Sequence, residues 1–444
     1  MQIKWRHTAG VGLYSTAVSE RQPPLIRIPE ILEALTSEGL LLGARRWAGI
    51  TFAPFALNAS AGVLTLVGMT LLFRALPADE AGRLALILAL LEILGLVGSL
   101  GLPNMVTRLY GEAGRDAFDW PLDLVGTAAL AAIPVTIGVV TVSAIYDLPA
   151  DTLWFLMIGS LLLVVLNSGS FMLNAHGHYI WSSLLLRLSS ASLIVPGILT
   201  FVAGRSTNLA GLLLFYTSAL ALTLLFLIVL LSRNLTRGPR HIDLSQRLEA
   251  TVFLASTGIG LLPDQGITAI AGALLRPETL AIYAAMTVFA RPFKLGANIL
   301  TMIMTPELVR RKRGRYLNLT VGLWSFALLC SLGIALLGPA LAHWTYGGRY
   351  DSGLVLLPLL ALAGALQLTL VLPRSDLGGR APIALLRRLF VVLAGVLGLL
   401  TVLGALLITK LGILGIAIAG LALQAGRNLI SYTYWRDHRR KEAS

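Results

Sequence analysis

The chain has 444 residues, of which 56% are hydrophobic and only 13% charged, with a mean hydropathy of +0.80; a soluble domain carries about 25% charged residues. That composition excludes a water-soluble globular protein, and the single cysteine, Cys330, excludes an intrachain disulfide. The formal net charge of +13 would suit nucleic acid, but the placement of the basic residues assigns it to membrane topology and leaves no nucleic-acid partner.

The chain opens with a polar, basic stretch. Residues 1–46 hold Lys4, Arg6, Arg21, Arg27, Arg45 and Arg46, are interrupted by Gln22-Pro23-Pro24, and lack the apolar core of a secretory signal. Ile31, Leu32 and Leu35 share one helical face while Glu30, Glu33 and Glu38 lie elsewhere. Two readings stay open: a short amphipathic helix on the inner leaflet or on the protein body, or a disordered cytoplasmic tail.

A hydrocarbon core of about 30 Å takes about 20 apolar residues in a helix. Twelve such runs follow, at about 50–73, 82–106, 121–145, 152–174, 179–203, 209–232, 250–274, 280–305, 318–343, 353–373, 383–409 and 411–434. The expected fold is an all-α integral membrane protein with twelve transmembrane helices and short loops. Of the 35 Lys and Arg, twenty-five fall in the two tails and the loops on the same side as them, and six in the opposite loops. Arg187, Arg291, Lys294 and Arg427 lie inside the runs. The bias puts both termini in the cytoplasm and suits contact with anionic membrane lipids.

An offset of 199 residues lays LPADEAGRLALI (76–87) over LRPETLAIYAAM (275–286). In each, an acidic turn opens a long helix that ends at basic residues: Arg108 and Arg115 in one, the run 310–315 in the other. Six spans repeated once predict two six-helix lobes related by a parallel pseudo-two-fold repeat. The expected divisions are an N-lobe at 47–232, a cytoplasmic linker at 233–249 carrying Gly238-Pro239, a C-lobe at 250–435 and a basic tail at 436–444.

No catalytic constellation is present. There is no phosphate-binding glycine loop ending in Lys-Ser or Lys-Thr and no zinc-spaced Cys or His set. His176 and His178 in NAHGHY lack further ligands, so no metal site is expected, and YGGRYDSG (346–353) reads as a turn. A polymerase or ligase acting on lipid-linked sugars would carry a large outer loop, and this chain is expected to be no enzyme.

The informative residues are charges inside the spans. Glu92 interrupts RLALILALLEILGLVGSLGLPNMVTR (83–108), and a carboxylate at mid-membrane costs roughly 2.5–3.5 kcal/mol on insertion scales. The repeat pairs Glu92 with Arg291 at equal depth, with Lys294 on the same face as Arg291. Asp264 follows Pro263, which frees carbonyls beside it. The pattern predicts a wet, charged cleft between two lobes, with Glu92 as a gate facing Arg291. A static Glu92–Arg291 ion pair locking the lobes is the alternative. Asp264 is a coupling-ion position or a structural carboxylate. Arg187 and Arg427, nearer the span ends, read as snorkelling residues.

LFRALPADEAGRLALILALLEILGLVGSLGLPNMVTRLYG (72–111), PDQGITAIAGALLRPETLAIYAAM (263–286), WTYGGRYDSGLVLLPLLALAG (344–364) and LGILGIAIAGLALQAGRNL (411–429) resemble segments of polysaccharide, or O-antigen, flippases. These belong to the multidrug/oligosaccharidyl-lipid/polysaccharide exporter superfamily. The resemblance covers roughly residues 50–435, and Ala281 stands where the family's second lobe has a turn glycine. It implies a V of two lobes with spans one, two, seven and eight lining the cleft, and alternating access in a bacterial inner membrane. The implied substrate is an oligosaccharide on polyprenyl pyrophosphate, the implied partner a glycan polymerase machinery, and the implied coupling a proton, sodium or the membrane potential, with no cofactor. Arg291 and Lys294 on span eight suit a pyrophosphate and are the substrate-binding residues that the resemblance implies. A cation-coupled drug extruder of the same superfamily would use Glu92 and Asp264 instead, and a non-transporting membrane scaffold would gain nothing from buried charge.

Overall fold

The structure, a computed structural model, describes residues 53–103, 105–106, 109, 118–203, 208–250, 260–310 and 317–443. The amphipathic reading of the 1–46 tail lies outside the described residues, as does the start of the seventh apolar run. The described chain is all helical apart from one isolated bridge. In the first half α1 spans Ala53–Ala75, α2 Ala78–Ser99, α3 Trp120–Tyr146, α4 Ala150–Ala175, α5 Tyr179–Ala191, α6 Ile194–Ala203 and α7 Leu209–Asn234. A short α8, Leu244–Glu249, follows in the linker. The second half contains a π-helical turn at Leu262–Gly266, then α9 Ile267–Leu274, α10 Pro277–Arg310, α11 Leu317–Tyr346, a 3₁₀ turn at Asp351–Leu356, α12 Leu357–Thr369, α13 Val371–Arg380, α14 Ile383–Leu411 and α15 Ile413–Ala443.

Among the described residues, nine helical segments are long and apolar enough to cross a membrane. Their outward faces expose large apolar side chains, with Trp344 at 80% and Leu329 at 68%. Such surface is costly in water and natural in lipid. Three further apolar runs have other forms. The fifth is broken into α5 and α6 at Ser192-Leu193, where Pro196 lies in the first turn of α6 and removes a backbone donor. Gly68 of α1 accepts this break, because a Cβ there would lie 2.6 Å from the Ile194 nitrogen. The seventh carries the π turn around Pro263 and Asp264, and the eighth, α10, is a 34-residue helix carrying Arg291 and Lys294.

Prolines and glycines set the ends. Pro77, Pro149 and Pro382 stand just ahead of α2, α4 and α14, and Gly412, at φ 56°, turns α14 into α15. The 199-residue offset holds at the helix starts, since α2 begins at Ala78 and α10 at Pro277. It fails at the ends: Leu100 (φ 49°) and Gly101 (φ 76°) terminate α2, while α10 continues to Arg310.

The two halves meet where the 76–78 and 275–277 turns lie, called here the turn end. Gly82 of α2 is so close to α10 that an added Cβ would fall 1.8 Å from the Pro277 carbonyl oxygen. Beside this crossing, the 346–350 turn reaches over the first half. Tyr350 donates its hydroxyl to the Phe73 carbonyl at 2.9 Å, Arg349 donates to the Arg74 carbonyl at 3.3 Å and to that of Leu76, and Arg74 donates to the Thr345 carbonyl at 3.2 Å. Burial pushes the Tyr350 phenol above its usual range, against a smaller opposing pull from Arg349, so it stays a donor at neutral pH. YGGRYDSG is a turn, with Gly347 and Gly348 at positive φ, and it also ties the halves together.

At the opposite, linker end, the 233–249 segment is clamped to the foot of α3. Asp123, fully buried, accepts from the Ile242 amide at 2.8 Å and pairs with Arg247 at 3.2 Å. Arg247 donates to the Ile242 carbonyl at 2.9 Å and to Thr127 Oγ1 at 3.1 Å. A buried carboxylate ties α13 to α15 in the same way: Asp376 accepts from Trp435 Nε1 at 2.7 Å and pairs with Arg439 at 2.8 Å. Cys330 packs beside Phe293, Ala327 and Ala361.

Candidate substrate cavity

A cavity of about 950 Å³ lies on the linker side of the Gly82–Pro277 crossing. α2 lines it from Ala85 to Ser99, α10 from Tyr283 to Thr301, and α15 from Ala417 to Ser431. Glu92, Asp264, Arg291 and Lys294 all lie on its wall, so the structure brings together the four charges singled out in the sequence. Glu92 is the fifteenth residue of α2, Arg291 the fifteenth of α10 and Arg427 the fifteenth of α15. At 1.5 Å per residue each lies about 21 Å from the start of its helix. Their shared depth follows from helix starts that the turn residues fix.

Pairing departs from expectation. Among the described residues Glu92 and Arg291 form no ion pair. Gln265, in the π turn, donates its amide to Glu92 Oε2 at 2.6 Å instead, and Lys294 pairs with Asp264 at 3.3 Å. The static Glu92–Arg291 lock is therefore not what joins the halves. The reason is rotational. A π turn inserts one residue into the helix and shifts the phase of its flanks by about 100°, turning Gln265 toward Glu92 and Asp264 toward Lys294. Thr268 Oγ1 donates to the Asp264 carbonyl at 2.8 Å, which occupies one of the carbonyls a proline break exposes.

The snorkelling assignment of Arg187 and Arg427 is also corrected. Both line the cavity: Arg187 donates from Nε to Asn58 Oδ1 at 3.1 Å, and Arg427, 8% exposed, lies against Gly260, whose added Cβ would sit 3.4 Å from the guanidinium. Depth alone misassigned them, because a side chain snorkels only when its helical face meets lipid. Arg374, which the topology count treats as a loop residue, is in α13 and lines the cavity. Gln265 was not singled out at all. The signal for α15 was legible in its phase, since Gly420, Gln424, Arg427 and Ser431 recur at helical spacing on one face.

The cavity wall thus carries five cations, Arg187, Arg291, Lys294, Arg374 and Arg427, against two carboxylates, Glu92 and Asp264. Among the described residues Arg291, Arg374 and Arg427 have no carboxylate within ion-pair distance. No group of three or more His, Cys, Asp or Glu that could hold a metal occurs among them. Apolar residues, including Leu88, Leu163, Phe390 and Leu393, share the rest of the lining with polar ones such as Asn167, Asn298 and Gln367.

Neither family models nor curated protein sequences match the chain. Solved structures do. An inward-facing multidrug resistance MATE family transporter of the MOP superfamily superposes with a TM-score of 0.61 at 15% identity, covering 88% of this chain and 98% of that one. The lipid II flippase MurJ in an inward closed conformation gives 0.62 at 12% identity, covering 87% of each chain. The Vibrio cholerae MATE transporter VcmN in its bent form gives 0.54 at 15% identity, covering 89% and 99%. At these identities the likeness is one of fold.

Proposed function

We propose that the protein is a membrane transporter that moves a polyprenyl-pyrophosphate-linked oligosaccharide from the inner to the outer leaflet by alternating access. In this reading the helices form twelve spans in two six-helix lobes related by the parallel repeat, with α1–α7 in the first lobe and α9–α15 in the second. Both termini are cytoplasmic. The tied turn end is then the closed outer gate, and the cavity is reached from the cytoplasmic side.

The observation that carries the proposal is the excess of cations on the cavity wall, five against two carboxylates, among apolar helix faces. A cavity of that charge favours an anionic headgroup: guanidiniums bind phosphate oxygens through paired N–H donors, while apolar surface tolerates an acyl or prenyl chain. Arg291 and Lys294 hold the pyrophosphate in this reading. Asp264 is the coupling-ion position, released from Lys294 when the substrate phosphate takes that ammonium. A cation-coupled extruder, the second reading, has Glu92 and Asp264 in the cavity to support it, but Gln265 and Lys294 already engage both.

The test is translocation of a labelled polyprenyl-pyrophosphate oligosaccharide in vesicles reconstituted with the full chain. Arg291→Ala is expected to lower transport per folded molecule at least tenfold, and Asp264→Asn to remove dependence on an imposed proton or sodium gradient. Unchanged transport in the first variant removes Arg291 as a ligand, and full gradient dependence in the second removes Asp264 as the coupling site. Movement of organic cations without movement of the lipid-linked sugar would favour the second reading.

A further inference from the structure

Arg374 and Arg427 form a second pole in the cavity. Arg291 and Lys294 have carboxylates nearby, with Asp264 on Lys294 at 3.3 Å and the Glu92 charge acting on Arg291. Arg374 and Arg427 come from neighbouring helices of the second half, and the charge of one repels the other, with a smaller pull on Arg427 from Asp264. Among the described residues neither side chain has an ion-pair partner or a hydrogen bond. Their surroundings are built rather than incidental. Gln424, 2% exposed, lines the cavity one turn before Arg427. Ser431, one turn after Arg427, lines it too, as does Gln367 two turns before Arg374. Two facing helical stripes therefore direct guanidinium, amide and hydroxyl groups into one region.

We infer that Arg374 and Arg427, with Gln424 and Ser431, form a phosphoryl-binding subsite separate from Arg291 and Lys294. Arg427 is buried and Arg374 opens to the cavity, and neither guanidinium has a carboxylate at ion-pair distance among the described residues. A pyrophosphate or phosphate ester supplies charge for both and acceptors for both donor sets. The subsite rests on the flippase reading for its place in transport, but its ligand chemistry rests on these side chains alone. Two cationic poles in one cavity would let a pyrophosphate pass from one to the other as the lobes move.

The experiment follows thermal unfolding of the purified full chain in detergent micelles, with inorganic phosphate, inorganic pyrophosphate or micellar polyprenyl pyrophosphate added, and sulfate as the control for ionic strength. Ligand-dependent shifts yield an apparent Kd. Arg374→Gln and Arg427→Gln are each expected to weaken pyrophosphate binding about tenfold or more. Without ligand both should unfold at or above the wild-type temperature, because no partner is lost and a repulsion is relieved. Arg→Lys at either position should restore part of the affinity. Binding confined to the micellar lipid names a lipid headgroup as the ligand, and equal binding of inorganic pyrophosphate names the free anion; either supports the subsite if it depends on these arginines. Wild-type protein that responds to none of the phosphates, or Arg374→Gln and Arg427→Gln variants that bind like wild type, would overturn it.

Transport separates this inference from the function it rests on. If vesicles move no lipid-linked sugar while pyrophosphate binding still requires Arg374 and Arg427, the flippase reading fails and the subsite stands. If transport proceeds and both arginine variants bind pyrophosphate normally, the subsite fails and the flippase reading stands.

Discussion

Gln265 and Glu92 meet at 2.6 Å, one from the π turn of the second half and the other from α2 of the first. The contact joins the halves at the cavity wall, deeper than the turn-end ties. It has one charged partner and one neutral, so it breaks at a lower cost than a buried ion pair, which loses about 3–5 kcal/mol when one partner is removed. A contact of that kind suits a surface that must separate and reform.

A double-mutant cycle of Glu92→Ala and Gln265→Ala should show a coupling of about 1 kcal/mol in unfolding free energy, the size of a hydrogen bond to a cavity-facing charged group. The same cycle for Glu92 and Arg291 should give less than about 0.5 kcal/mol. The reverse order would restore the direct ion pair as the principal link.

Lys294 and Asp264 should behave as a unit. Their side chains are 31% and 25% exposed, so the loss on breaking the pair is discounted for screening to about 1–2 kcal/mol. Lys294→Met should therefore destabilise the protein more than the Lys294→Met, Asp264→Asn double variant does, read by thermal unfolding. Additive losses would mean that the two side chains do not share a charge.

The clamp on the 233–249 segment is a buried ion pair outside the cavity. Arg247→Ala takes the guanidinium from Asp123, which is 0% exposed and keeps the Ile242 amide, and should cost about 1–3 kcal/mol. Limited proteolysis should then cut between 233 and 249 faster than in wild type. A protease-resistant variant of normal stability would show that the segment is held by other means.

Gly82→Leu should force α2 and α10 apart, since its Cβ alone would sit 1.8 Å from the Pro277 oxygen. Overpacking of this kind costs about 1–3 kcal/mol. A cysteine introduced at Ala85, in a background with Cys330 replaced, should react several times faster with a maleimide once the crossing is wedged. No change in labelling rate would mean that the crossing does not close this end.

Single cysteines at Arg237 and Arg349 in the same background should label from opposite faces of intact cells, only the second with an impermeant reagent from outside. Labelling of both from outside would overturn the charge-based orientation.

Depth was legible in the sequence, and rotation only along α15. Run length and hydropathy locate helix starts, and the 199-residue offset put Glu92 and Arg291 at the same level because turn residues fix both starts. Which way a side chain points depends on phase, and one inserted residue at Pro263 changes it, so Gln265 reached Glu92 and Asp264 reached Lys294. The division of the fifth run into α5 and α6 was masked by continuous hydropathy across YIWSSLLLRLSSASLIVPGILTFVA (179–203). The serines at 189, 190 and 192 with Pro196 were the only cue. Distance from the span ends misplaces Arg427 and Arg187, and a loop boundary at 373 misplaces Arg374, whereas the helical face on which each sits decides its role.

The turn-end tie has a consequence for inheritance. In the four bonds described above, Arg349, Tyr350 and Arg74 are the donors and each acceptor is a main-chain carbonyl, at Phe73, Arg74, Leu76 and Thr345. Carbonyls are present whatever side chain a codon specifies. Alleles that remove these four bonds should therefore fall at three codons, and a suppressor screen should find no compensating side chain at positions 73, 76 or 345. The donors are held by their side chains, while the acceptors give the bonds whatever side chain they carry.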